Sequence, residues 1–162
     1  MSLSPIEAAD RLAIRDLVDT YAARADRRDI AGLVRLFAPS LTFALYMNAN
    51  ARAPDKEIND REGLCAEFQR LHDFEATQHF IGQSMITSLT RDQGAGETYC
   101  QAHHLSASAA GRTLSIAAIR YRDIFRKVGD VWRFAERRLY FDWTEERALA
   151  SSNPPSPTGD AS

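Results

Sequence analysis

The chain has 162 residues, a formal net charge of −2 and four histidines; 44% of its residues are hydrophobic and 26% charged. A chain of this size fits one domain with a substantial core. Its faintly acidic balance argues against nucleic acid as a partner, because phosphate binding draws on a basic surface. No apolar run approaches the ~20 residues that span a bilayer, so no membrane partner is expected. The start, Met1-Ser2-Leu3-Ser4-Pro5, has no basic residue and no long apolar stretch, so no secretion signal is read and the expected location is cytoplasmic. Cys65 and Cys100 belong to no C-x-x-C pair and are expected to be reduced, buried thiols. The histidines lack metal-site spacing. Glycine-rich nucleotide loops and the G-x-S-x-G elbow do not occur. Neither a nucleotide cofactor nor a metal is therefore expected.

Ser4-Pro5-Ile6-Glu7 reads as a helix start, with Ser4 as cap, Pro5 in the first turn and Glu7 completing a capping box. Ile14, Leu17, Val18, Tyr21 and Ala25 then recur at helical spacing, which predicts a helix to about residue 28. A second helix is predicted over 30–37, ended by Pro39, and a strand over 41–47, where Leu41, Phe43 and Leu45 alternate with polar or small neighbours. Residues 48–59 read as a loop, and Asp60 caps a third helix over 61–72. Strands are predicted over 78–81, 84–89, 97–109, 112–128 and 131–143, with hairpin turns at Gly111 and Gly129-Asp130. Three helices around one strand, followed by a long antiparallel meander, define an α+β domain over residues 1–147. The Pro- and Ser-rich residues 148–162 are expected to form a disordered or partner-docked tail.

His79 stands on the apolar run Thr77-Gln78-His79-Phe80-Ile81-Gly82, and Asp26 lies at the end of the helix that carries Tyr21. If the fold joins them, Asp26 orients His79 as a general base. His103 and His104 are neighbours on one strand, so they face opposite ways. Alternation groups His104 with the small residues Cys100, Ala102 and Ser106, and this set is assigned to the pocket. A one-residue bulge would reverse the assignment.

The run from Tyr21 to Asp29, Phe37-Ala38-Pro39, the His79 segment, and the closing stretches around Tyr121-Arg122-Asp123, Val131-Trp132-Arg133-Phe134 and Asp142-Trp143 resemble SnoaL-like proteins. These belong to the nuclear transport factor 2-like superfamily. The resemblance spans about residues 5–145. It implies a cone-shaped α+β barrel, a curved antiparallel sheet wrapped around N-terminal helices. The site pattern is similar to those of scytalone dehydratase, bile-acid 7α-dehydratase and lindane dehydrochlorinase, all lyases without a cofactor. It departs from scytalone dehydratase in having Ala25, not tyrosine, just before Asp26.

The resemblance implies His79 as base and Asp26 as its orienter, with Tyr21 and His104 as hydrogen-bond donors or acids. Phe43, Leu45, Phe68, Ile119, Tyr121, Leu139 and Phe141, together with Val18, are expected to line an apolar pocket suited to a small aromatic or polycyclic substrate. Arg137 is either an anion-stabilising member of this pocket or a surface arginine of the cluster Glu136-Arg137-Arg138. The expected function is a cofactor-independent lyase. An isomerase or polyketide cyclase using the same base, and a non-catalytic binding or assembly module, are the alternatives. Outer positions Leu114, Ile116, Ile124 and Trp132 are apolar, which predicts a homo-dimer or homo-trimer.

Overall fold

The computed structural model describes residues 4–149. Helix α1 (Pro5–Asp26) begins as expected: the Ser4 hydroxyl accepts the Glu7 N–H at 3.1 Å. Of the expected capping box this half is present, while the Glu7 carboxylate goes to Arg11 one turn on. The helix buries Ile14, Leu17, Val18, Tyr21, Ala22 and Ala25, a single stripe at 3.6-residue spacing.

Helix α2 (Ile30–Arg35), capped by Asp29, is shorter than predicted. Phe37 already belongs to strand β1 (Phe37–Tyr46) and is fully buried. Pro39 therefore does not end the helix. It sits in the register break of β1 between Phe37 and Thr42, where a missing N–H costs the ladder nothing. The expected loop contains a short strand, β2 (Lys56–Ile58), too brief to show a period in sequence. Helix α3 (Arg61–Gln69), capped by Asp60, passes into a 3₁₀ turn (Arg70–Asp73).

Four long strands follow: β3 (Ala76–Leu89), β4 (Gln93–Ser108), β5 (Gly111–Val128) and β6 (Val131–Leu149). The two short strands expected before residue 90 are one strand, irregular between Ile81 and Ser84. Gly111 and Gly129 make the hairpin turns with positive φ of 121° and 63°. The sheet runs β2-β1-β6-β5-β4-β3 and is antiparallel except for the parallel β1–β6 pair. It is a six-stranded, curved and unclosed sheet with the helices N-terminal to its meander. Strand β6 takes in Ala148 and Leu149; the rest of the expected tail lies outside the described residues.

The face of the sheet toward the helices carries the core, including Cys100, Ala102, Ala117, Ile119, Tyr121, Phe125, Phe134 and Leu139. One expectation fails here. Trp132 is not on the outer face: it is 5% exposed and donates its indole N–H to Asp10 at 2.9 Å. The reason is a bulge at Ala135, where Ile124 pairs with Glu136 but Phe125 pairs with Phe134. Residues 132 and 134 face inward before it, and 137, 139 and 141 after it.

That parity change brings Arg137 into the core with no exposure. Its Nε and Nη2 donate to the two carboxylate oxygens of Asp123 at 2.9 and 2.8 Å. The guanidinium carbon lies 4.1 Å from the Tyr21 ring centre, 4.2 Å from Tyr121 and 4.0 Å from Phe134. Removing one member of such a pair strands the other charge. Arg137→Met should lower unfolding stability by about 3–5 kcal/mol, and the double variant Asp123→Leu/Arg137→Met should recover most of the loss. Urea denaturation of the two variants beside the wild type measures this.

Candidate active site

The C-terminal end of α1 brings Asp26 to the edge strand β3. Asp26 Oδ1 lies 2.7 Å from His79 Nδ1 and accepts the Thr77 hydroxyl at 3.2 Å, while Oδ2 accepts the His79 main-chain N–H at 3.0 Å. Thr77 and His79 point the same way because they stand two apart on a strand. The His79 side chain is 8% exposed and that of Asp26 25%. Burial pushes the Asp26 carboxyl upward, but the hydrogen bonds and charge from His79, with Thr77, outweigh it and hold the group below the usual carboxylate range. An ionised Asp26 accepting from Nδ1 fixes the tautomer that leaves the lone pair on Nε2.

His79 opens into a cavity of about 370 Å³ between helices and sheet. Tyr21, His104 and seven of the expected lining residues (Phe43, Leu45, Phe68, Ile119, Tyr121, Leu139 and Phe141) form its walls. Ala102 lies opposite His79 in the ladder, and its small side chain leaves room there. Val18 and Arg137 are not lining residues. Val18 is fully buried in the helix–sheet core, and Arg137 belongs neither to the cavity nor to the surface but to the ion pair among the aromatic rings.

His104, not His103, lines the cavity. Its ring is stacked on Phe74 at 4.4 Å and meets His79 edge-on at 5.7 Å. His103 lies on the outer face against Phe80, its Nδ1 buried without a hydrogen-bond partner among the described residues. Burial, then the neighbouring charge of His79, pushes His104 down to about 4. It is neutral near pH 7, where it offers an N–H donor instead of an imidazolium acid.

Tyr21 is ringed edge-on by Phe68, Tyr121 and Phe134, and burial raises its hydroxyl to about 12 although Arg137 opposes this. Burial likewise lifts Tyr121 well above the usual tyrosine value and Cys100 to about 11. Both phenols therefore serve as neutral hydrogen-bonding groups. Sequence reasoning missed Thr77, whose i, i+2 relation to His79 was a usable signal. It also missed Leu71, Phe74 and Met47 of the cavity wall: Leu71 and Met47 fall on the apolar positions of the predicted third helix and first strand but were not carried into the pocket, and Phe74 stands just past the 3₁₀ turn, where no periodicity points. Glu67, Arg70 and Asp73 bring charge to the wall. Among the described residues no group of three or more His, Cys, Asp or Glu side chains is placed to hold a metal ion, and no helix is long and apolar enough to cross a membrane.

The SnoaL-like domain family matches residues 7–138, and the chain belongs to it. Its fold is that of the nuclear transport factor 2-like superfamily. Among solved structures, a candidate scytalone dehydratase from Novosphingobium aromaticivorans aligns with a TM-score of 0.78 at 18% identity, over 97% of this chain and 100% of that one. The hexachlorocyclohexane dehydrochlorinase LinA-type3 from Novosphingobium barchaimii aligns with a TM-score of 0.73 at 16% identity, over 93% and 98%. The β subunit of a candidate aromatic-ring-hydroxylating dioxygenase from N. aromaticivorans aligns at 0.70 and 20% identity, over 84% and 91%. At these identities the likeness is one of fold. No curated protein matches the chain by sequence.

His104 also gives the site a pH signature. Unfolded, it protonates near 6.5; folded, near 4. Between these values the unfolded chain binds the extra proton, so stability should climb as pH rises from about 4 to 6.5. The lowered Asp26 adds a further loss as pH falls below the ordinary carboxylate value. Urea unfolding of wild type and His104→Ala across this range should show a shallower slope in the variant. A proton-NMR midpoint for His104 near 6.5 would contradict the burial assigned to it.

Proposed function

We propose that the protein is a cofactor-independent lyase of the dehydratase or dehydrochlorinase type, acting on a small hydrophobic aromatic or polycyclic compound. The observation that carries this reading is a half-buried His79 oriented by Asp26 and open to a largely apolar cavity. His79 Nε2 takes a proton from a substrate carbon. The C–H electron pair becomes the new double bond, and the leaving group departs from the adjacent carbon with its bonding pair. The proton on His79 then goes to the departing group or to water, so substrate gives alkene plus water or hydrogen halide. Asp26 stabilises the imidazolium in between. Tyr21, Tyr121 and neutral His104 can donate to a substrate oxygen or to the leaving group. General-base assistance of this kind is worth roughly 10²–10⁴-fold.

An isomerase or cyclase would use the same base, and the product decides between them: elimination changes the mass, isomerisation conserves it. The dioxygenase β subunit of the same fold favours the other alternative, a binding or assembly module. Hydroxylated and chlorinated ring compounds incubated with the protein and followed by mass spectrometry test the reading. His79→Ala should abolish turnover with the fold retained, and Asp26→Asn should cost several powers of ten. His104→Ala should lower the rate by one to a few powers of ten, whereas His103→Ala should act on stability or assembly. Near-wild-type turnover in His79→Ala would mean that another group is the base.

We also propose that the chain works in the cytoplasm as a homo-dimer or homo-trimer, with neither nucleic acid nor membrane as partner. Supporting the assembly, Phe80, Tyr99, Ile124 and Trp143 are exposed large apolar side chains, and Phe80, Tyr99 and Trp143 border a single groove. Sedimentation should give a species larger than one chain at micromolar concentration, and Trp143→Lys should shift it toward monomer. A wild type that sediments only as monomer would refute the assembly.

A further inference from the structure

Helix α1 ends at Asp26, and two residues later the chain takes a conformation that glycine normally supplies. Arg28 has φ 55°, the sole positive φ of a non-glycine residue among those described. Its N–H closes on Ala25 O at 3.0 Å and that of Asp29 on Arg24 O at 2.9 Å, a helix stop in which Gly or Asn is usual. An arginine in this conformation carries strain that glycine would not.

The side chain has a task that glycine cannot perform. Arg28 Nε donates to Leu71 O at 3.2 Å, and Nη2 donates to Phe74 O at 2.7 Å and Glu75 O at 2.9 Å. It makes no ion pair among the described residues; its hydrogen bonds go to main-chain carbonyls. All three carbonyls lie in the stretch that leads from the 3₁₀ turn into β3. Leu71, Asp73 and Phe74 of that stretch form a wall of the cavity, and the Phe74 ring covers His104. Three acceptors at different angles suit a planar guanidinium with five donors; a lysine ammonium has a single nitrogen to share among them.

We infer that Arg28 is a positioning residue: it braces the 71–75 wall against the end of α1 and thereby holds Phe74 over His104. One short segment then sets both halves of the site. Asp26 orients His79 from one side, and Arg28 places the cover of His104 from the other. The inference rests on the reading of this cavity as an active site, but its test needs no substrate.

The test compares wild type, Arg28→Gly and Arg28→Lys. Glycine keeps the backbone conformation at ease while deleting the brace; lysine keeps the charge while losing the fork. Amide exchange at residues 71–75 should speed up at least ~10-fold in Arg28→Gly, and the proton-NMR midpoint of His104 should rise by ~1 pH unit or more as water reaches the ring. Arg28→Lys should fall between. The other charges acting on His104 come from His79, Asp26 and His103, which these substitutions leave in place. Phe74→Ala separates the two steps: it should raise the His104 midpoint while exchange at residues 71–75 stays slow. If Arg28→Gly fails to fold, Arg28→Lys and Phe74→Ala still decide the matter. Unchanged exchange and an unchanged His104 midpoint in the Arg28 variants would reduce Arg28 to an ordinary helix stop. A protein that shows the expected shifts but turns over no substrate would instead overturn the lyase reading and leave the brace standing.

Discussion

A guanidinium without access to water sits where helix and sheet meet. Arg137 is chelated by Asp123 from the neighbouring strand and enclosed by rings from α1, β5 and β6. Each charge alone costs several kcal/mol to bury, so each holds the other in place, while Arg137 Nη1 has no hydrogen-bond partner among the described residues and faces the rings. The pairing therefore dictates much else. It requires the Ala135 bulge, which turns residue 137 inward, and it requires Tyr21 and Tyr121 to present their faces to the cation. Both tyrosines also line the cavity. The floor of the site is thus continuous with the cage of rings around Arg137.

The walls are built differently. Asp26 and His79 are held by three contacts between the end of a helix and an edge strand, and Phe74 by a turn. Under the proposed lyase reading floor and walls would divide the work: the aromatic floor would supply neutral donors, and the walls the ionisable pair. Such a division suits elimination chemistry, in which the base must meet a proton at one place while a departing group is held at another.

Much of this arrangement was legible in the residues. Ser4-Pro5 and the 14-17-18-21-25 stripe specify α1, and Gly111 and Gly129 mark two of the three hairpins of the meander. The placement of His104 followed from strand alternation, which holds because β4 pairs with β5 without a break from Gln93 to Ser108. The same rule failed on β6, where the bulge at Ala135 leaves no mark in composition and sent Trp132 to the wrong face. Arg137 was hard to read for a related reason: within Glu136-Arg137-Arg138 nothing distinguishes the buried guanidinium from its solvated neighbour until Asp123 is known to lie across the ladder. The joining of Asp26 to His79 rested on resemblance, since no local pattern connects residues 53 positions apart.

Strand β3 is an edge of the sheet, paired with β4 alone. Its free side offers main-chain groups that a strand from another molecule could take up. At His79 the outward N–H is already taken by Asp26, and at Gly82 the carbonyl accepts from Arg15 at 3.3 Å. Helix α1 thus shields the edge with the same carboxylate that orients the histidine. The one carboxylate serves the side chain and the main chain of the same residue: a chain without it would lose the orientation of its imidazole and, at the same point, leave an outward N–H of the edge strand without a partner.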